Sequence, residues 1–168
     1  MLRINGYTLI ELLIVMAILA LLFGFSFAAY TNFNKNRSLE NGAREVEVVL
    51  RDAQHKAISG EYDQGGTCTK LISWMVNWTA DTADYSLVGR CETSGGSMNF
   101  SNIPPYKLSS VGTVQFYNSG SITFNSFLQS PIISSPVCIH FSSDVNNFYK
   151  VTVTAGGVID VSRETTCP

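Results

Sequence analysis

Residues 7–29 form a run of 23 in which Glu11 is the only ionisable side chain. As a helix rising about 1.5 Å per residue, the run would be roughly 35 Å long, enough to cross a hydrocarbon layer of about 30 Å. An acidic side chain at the centre of such a span costs about 2.5–3.5 kcal/mol, and less near the end, where Glu11 sits. An ionisable group in a membrane span is therefore a functional candidate, and Glu11 needs a partner that offsets its desolvation.

The stretch Gly6-Tyr7-Thr8-Leu9-Ile10-Glu11-Leu12-Leu13-Ile14-Val15 resembles the processing motif of type IV prepilins and type II secretion pseudopilins. Gly6 matches the residue before the cut, Tyr7 the aromatic first residue of the mature chain, and Glu11 its fifth. The resemblance implies a membrane-embedded prepilin peptidase that cleaves after Gly6 and methylates the new amino terminus of Tyr7. Its other implied partners are further pilin or pseudopilin subunits, the inner-membrane assembly platform, and membrane lipid before assembly.

Elementary electrostatics supports the same residues. An α-amino group at Tyr7 would be a positive charge at the edge of a low-dielectric phase, four residues from Glu11, on the same face if both were helical. Leaving either charge unpaired there is costly. In the family the glutamate meets the terminal amine of a neighbouring subunit, which gives Glu11 an assembly role. Apolar helices packed in stagger then form the filament core.

Two plainer readings compete. A cleaved secretory signal would use Arg3 and a small-residue site near Ser26-Phe27-Ala28, but its apolar region is usually about 7–15 residues and has no use for a carboxylate. A signal anchor predicts the same topology and needs neither Gly6 nor Glu11.

Beyond residue 60 the chain carries five Lys or Arg against eight Asp or Glu, a balance of −3, and no basic stripe for phosphate contacts. Nucleic-acid binding is not supported. Cys68, Cys91, Cys138 and Cys167 all lie in this half, which an apolar anchor would place outside the cytoplasm, where disulfides persist. Three pairings are possible. Sequential pairing, Cys68–Cys91 and Cys138–Cys167, is preferred because each bond closes a local loop. A zinc site would want close Cys-x-x-Cys pairs, and there are none.

Read in order, residues 1–6 are a leader, 7–29 a transmembrane helix, 30–60 its amphipathic continuation, and 61–168 a β-rich domain in the periplasm or outside the cell. Asn32, Asn34 and Asn36 interrupt the apolar pattern with weak helix formers. Leu39, Ala43, Val46, Leu50, Ala53 and Ala57 then recur at three- and four-residue steps as one face. Glu40–Arg44, Glu47–Arg51 and Asp52–Lys56 are spaced as i,i+4 pairs. Ser59-Gly60 stops the helix. His55, among charged neighbours, is expected to be solvated.

Ile72, Trp74, Val76 and Trp78 alternate as a strand. Tyr85, Leu87 and Val88 form its partner, ending near Cys91; Gly95-Gly96 and Pro104-Pro105 punctuate a loop. Asn118-Ser119-Gly120 reads as the turn of a hairpin between Val114/Phe116 and Ile122/Phe124. Ala155-Gly156-Gly157 reads as a second turn, between Tyr149/Val151/Val153 and Ile159/Val161. Val137, Ile139 and Phe141 face inward, so His140 should point away from the core. One antiparallel sheet would cover the helix stripe, an α+β, pilin-like arrangement.

These two hairpin segments, 114–120 and 149–161, are similar to those of the minor branch called H-type pseudopilins. Some minor pilins of that branch bind DNA through a basic tail; Arg163-Glu164-Thr165-Thr166-Cys167-Pro168 is not basic, so that activity is not carried over. Major pilins often carry a proline near the position of Ala28, and this chain has none there, so a melted helix segment is not carried over. No catalytic motif appears, and nothing calls for a metal or cofactor. Asp81 and Asp84 lack the spaced oxygen ligands of a calcium loop. Asn77-Trp78-Thr79 matches a glycosylation sequon, but Trp78 reads as strand core. The expected function is structural: a subunit, of minor type, in a type IV pilus or a secretion pseudopilus. A tip adhesin or ligand-binding subunit, and a membrane-anchored periplasmic domain of other function, are the alternatives.

Overall fold

The computed structural model describes residues 8–62, 68–100, 106–109, 114–126 and 130–167, with the side chains of 25–29 and 145 outside that description. One helix, α1 (Leu9–Ser59), runs through two compact units, Met1–Arg37 and Ser38–Pro168. The asparagines at 32, 34 and 36 do not break it.

In the first unit every large apolar side chain described from Leu9 to Phe23 is exposed, as are Tyr30 and Phe33. The Arg37 guanidinium lies 5.3 Å from the Phe33 ring centroid. Among the described residues no helix is long and apolar enough to cross a membrane. Residues 25–29, whose side chains complete the apolar run read from the sequence, lie outside them.

In the second unit the predicted stripe is buried without exception: Leu39, Ala43, Val46, Leu50, Ala53 and Ala57 are each at most 3% exposed. The helix ends as Ser59-Gly60 predicts. Gly60 takes the left-handed φ of 69°, and the Glu61 amide reaches back to the Lys56 carbonyl at 3.0 Å, a Schellman closure.

Ten strands follow: β1 (Lys70–Trp78), β2 (Asp84–Thr93), β3 (Gly96–Phe100), β4 (Tyr106–Lys107), β5 (Val114–Phe116), β6 (Gly120–Asn125), β7 (Ile132–Ile133), β8 (Val137–Phe141), β9 (Asp144–Val153) and β10 (Ile159–Glu164). They form two antiparallel sheets, not the one expected. The first is ordered β3-β2-β1-β6-β7, with β4 also on β2; the second is ordered β10-β9-β8-β5.

The β9–β10 hairpin forms as read, with Ile159 opposite Val153. The hairpin expected across Asn118-Ser119-Gly120 does not. Val114 and Phe116 pair with β8 in the second sheet, whereas Ile122 and Phe124 pair with β1 in the first. The polar link is a crossover between sheets. The Asn118 amide group donates to the Pro136 carbonyl at 2.8 Å, and the Ser119 hydroxyl accepts from the Ala80 amide at 2.8 Å. Gly95-Gly96 is not part of a long loop either; it turns β2 tightly into β3, so β2 continues past Cys91 to Thr93. Pro104 and Pro105 lie outside the described residues.

In β1 the alternation holds for Trp74, Val76 and Trp78 but fails at Ile72, because a bulge between Leu71 and Ser73 buries those two residues instead. In β8 all five residues are buried. His140 therefore does not point into solvent: it is 3% exposed, beneath the rings of Tyr117 (centroids 5.5 Å apart) and Phe148 (5.8 Å). Period-two reasoning assumes that one face of a strand is wet, and here aromatic side chains cover the second face.

A helix advances about 100° per residue, so Glu45 and Lys56 lie on one flank of the buried stripe, and Arg51 and Gln54 on the other. Each flank is tied to a different sheet. Glu45 accepts from the Tyr85 hydroxyl at 3.0 Å and from the Ser109 amide at 2.8 Å, and Lys56 sits 5.0 Å from the Trp74 ring centroid. Burial, reinforced by that hydrogen bond to Glu45, pushes the Tyr85 phenol above its ordinary range. On the other flank Gln54 donates to the Gly157 carbonyl at 3.0 Å and Arg51 to the Ile159 carbonyl at 3.5 Å.

Of the expected helix ion pairs, Glu47–Arg51 (2.7 Å) and Asp52–Lys56 (3.5 Å) form. Glu40–Arg44 does not: Arg44 turns to Glu47 at 2.8 Å, so one carboxylate holds two guanidiniums. Hydrogen bonds from Arg51 and then Arg44 hold the Glu47 carboxyl below its ordinary value. Its stabilisation is therefore complete above the ordinary glutamate value and is lost as pH falls through the lowered folded value.

Both disulfides pair sequentially, Cys68–Cys91 and Cys138–Cys167. With sequence separations of 23 and 29 residues, each restricts the unfolded chain by roughly 3 kcal/mol in the chain-entropy account.

Gly89 lies between its register partners Trp74 and Phe100, and the Phe100 ring crosses it to meet Trp74 edge-on at 5.2 Å. A Cβ at 89 would collide with that ring. Gly89→Ala is expected to cost about 1–3 kcal/mol in urea unfolding followed by the fluorescence of buried Trp74 and Trp78. Adding Phe100→Leu should recover part of the loss, since the two sites couple. Glu47→Gln should lower stability by under about 1 kcal/mol near neutral pH. Unfolding measured across the acid range should show its difference from wild type closing below the ordinary glutamate value, not above it.

Candidate functional site

The site read from the sequence is the start of α1. Leu9 is its first helical residue, which makes Thr8 the residue that caps it. The Thr8 hydroxyl oxygen accepts from the Glu11 amide at 3.4 Å, and the Thr8 carbonyl accepts from the Leu12 amide at 3.2 Å. Thr8-Leu9-Ile10-Glu11 thus has the spacing of a capping box, with the cap-to-third-residue bond in place. The sequence signal for this cap, which the apolar pattern alone does not show, is the Thr-x-x-Glu spacing ahead of an apolar run.

Glu11 occupies the third helical position, where the positive end of the helix dipole favours a carboxylate by roughly 0.3–1 kcal/mol. Its side chain is exposed, among exposed Leu9, Ile10, Leu12 and Leu13. Among the described residues its carboxylate has neither an ion-pair nor a hydrogen-bond partner. Gly6 and Tyr7, read as the cleavage point and the methylated terminus, lie outside the described residues, as does any approach of Tyr7 to Glu11.

The comparison with protein families meets the chain at this same place: residues 1–27 match the family described as the prokaryotic N-terminal methylation motif. The chain carries the amino-terminal motif of the type IV pilin and pseudopilin family. The long helix packed on antiparallel sheets agrees with a pilin-like fold. The pilin motif goes with processing by prepilin peptidase and with a protein anchored in a membrane before it enters a filament. No curated protein and no solved structure matches the chain.

The other candidates fall outside this site. The Asp81 amide donates to the Phe116 carbonyl at 2.8 Å, and Asp84 pairs with Lys107 at 3.5 Å. Among the described residues no three His, Cys, Asp or Glu side chains converge as a metal site. His55 is exposed on α1, and Trp78 of the sequon is core at 3% exposure.

Thr8→Ala should leave α1 formed but fray its first turn, at a cost of about 1 kcal/mol. Amide hydrogen exchange in micelles would show this as roughly fivefold faster exchange at Glu11, with residues beyond the second turn unchanged.

Proposed function

We propose that this pilin-type chain is a structural subunit, minor in its assembly, of a type IV pilus or a type II secretion pseudopilus. Prepilin peptidase would cleave after Gly6 and methylate Tyr7. The first unit of α1 would rest in the inner membrane as a single pass, with the disulfide-bonded domain in the periplasm, until the assembly platform moves the chain into a filament of like subunits.

One observation supports this most strongly: a carboxylate with no partner among the described residues, on a helix whose large apolar side chains, as far as they are described, are uncovered. A patch of that size calls for lipid or other helices. The carboxylate calls for a cation within the same apolar layer, and the terminal amine of a neighbouring mature subunit meets both needs.

Intact-mass measurement of the mature protein should give a chain that starts at Tyr7, carries one methyl group and has both disulfides formed. A chain starting at Met1, or beyond the apolar run, would remove the filament reading. Glu11→Ala should be cleaved and inserted normally yet enter filaments about tenfold less, equivalent to losing about 1.4 kcal/mol of pairing. Quantitative immunoblotting of sheared filaments against membranes measures this, and normal incorporation would take Glu11 out of the mechanism.

A further inference from the structure

The face of the first sheet turned away from α1 holds an open groove of about 400 Å³ that the filament reading does not use. Its floor follows from strand register. Ser73 on β1 is opposite Arg90 on β2, and Arg90 is opposite Asn99 on β3, so three polar side chains cross the sheet in one row. The neighbouring row is Thr123, Met75 and Val88, across β6, β1 and β2.

The polar groups of this floor are unspent. Ser73 is only 5% exposed, and its hydroxyl, on the groove lining, has no hydrogen-bond partner among the described residues. The same is true of the Thr123 hydroxyl and the Asn99 amide group. These groups line the open groove, where solvent or a ligand can pair them, and a ligand that displaces solvent must supply matching bonds. Arg90 is held at the rim by one bond from Nη2 to the Ser97 hydroxyl at 2.8 Å, which fixes the guanidinium and leaves its remaining donors open.

We propose that this groove binds a carboxylate-bearing sugar, such as a uronic acid residue of a polysaccharide. Arg90 is the one cation on the floor, and its planar fork matches a single carboxylate. The hydroxyls of Ser73 and Thr123 and the amide of Asn99 both donate and accept, as vicinal sugar hydroxyls require. Met75 and Val88 give the C–H face of a sugar ring an apolar seat. The volume lies in the range of small-molecule sites and admits about one or two sugar rings. A polyanion such as nucleic acid is disfavoured by the single cation and by the acidic balance of the domain. The proposal stands independently of filament assembly.

The test is saturation-transfer difference NMR on the full chain in a sugar-free detergent, with glucuronate as the probe and glucose and acetate as comparators. Saturable glucuronate binding is expected, with a dissociation constant of about 1 mM and at least about tenfold weaker binding of both glucose and acetate. Arg90→Gln should abolish it, and Arg90→Lys should restore it in part. Should Arg90→Gln lose the native Trp fluorescence, Thr123→Val on a different strand serves instead, with binding weakened severalfold. Absence of saturable glucuronate binding would overturn the proposal, as would binding unchanged by these substitutions. Acetate binding as tightly as glucuronate would reduce the groove to a simple anion contact and equally overturn it.

Discussion

A narrow apolar stripe serving two sheets at once is the constraint on which the globular unit depends. Three of its six residues, Ala43, Ala53 and Ala57, are alanines at no more than 1% exposure. Their small side chains leave the bulk of the packing to the other side, to Trp74, Trp78, Phe116, Ile122 and Ile139. Large groups on the sheets against small groups on the helix is a way to reach close packing without voids. It also explains why both flanks carry polar ties: with little helix side chain to grip, Glu45 and Gln54 hold the margins against different sheets.

The two units of the chain solve opposite problems. Residues 38–59 of α1 bury one face and show the other, so their polar side chains can pair among themselves, as Glu47 does with Arg44 and Arg51. In the first unit residues 9–23 are apolar on all sides apart from Glu11, and that carboxylate has no such company. A helix apolar all round belongs in lipid or among other helices. In the proposed assembly, the same physical chemistry that makes Glu11 costly in isolation would make it selective, because a cation reaching the same depth would relieve it.

How much was legible in the sequence depended on whether the signal was local. The stripe on α1 and its stop at Gly60 rest on residues within a turn or two of each other, and both form as the spacing predicts. Sequential disulfides followed from loop economy. The crossover at Asn118-Ser119-Gly120 was not legible, because a polar, glycine-ended link looks the same whether the chain doubles back or changes sheets. His140 was misread because its cover comes from elsewhere in the chain, Tyr117 from the link after β5 and Phe148 from β9. Glu45 drew no notice, since its partner Ser109 is 64 residues away. At the amino terminus the Thr8 cap was written in the spacing and overlooked beside the stronger signal of Glu11.

The change of sheets between β5 and β6 has a mechanical consequence. Three residues, 117–119, join the edge strand of one sheet to an interior strand of the other. Tension applied there loads both ladders together, so neither layer can peel from the helix while its companion stays seated. A protein strung between a bilayer and a growing fibre would then yield as one block, and its two covalent staples would limit how far the freed strands could extend.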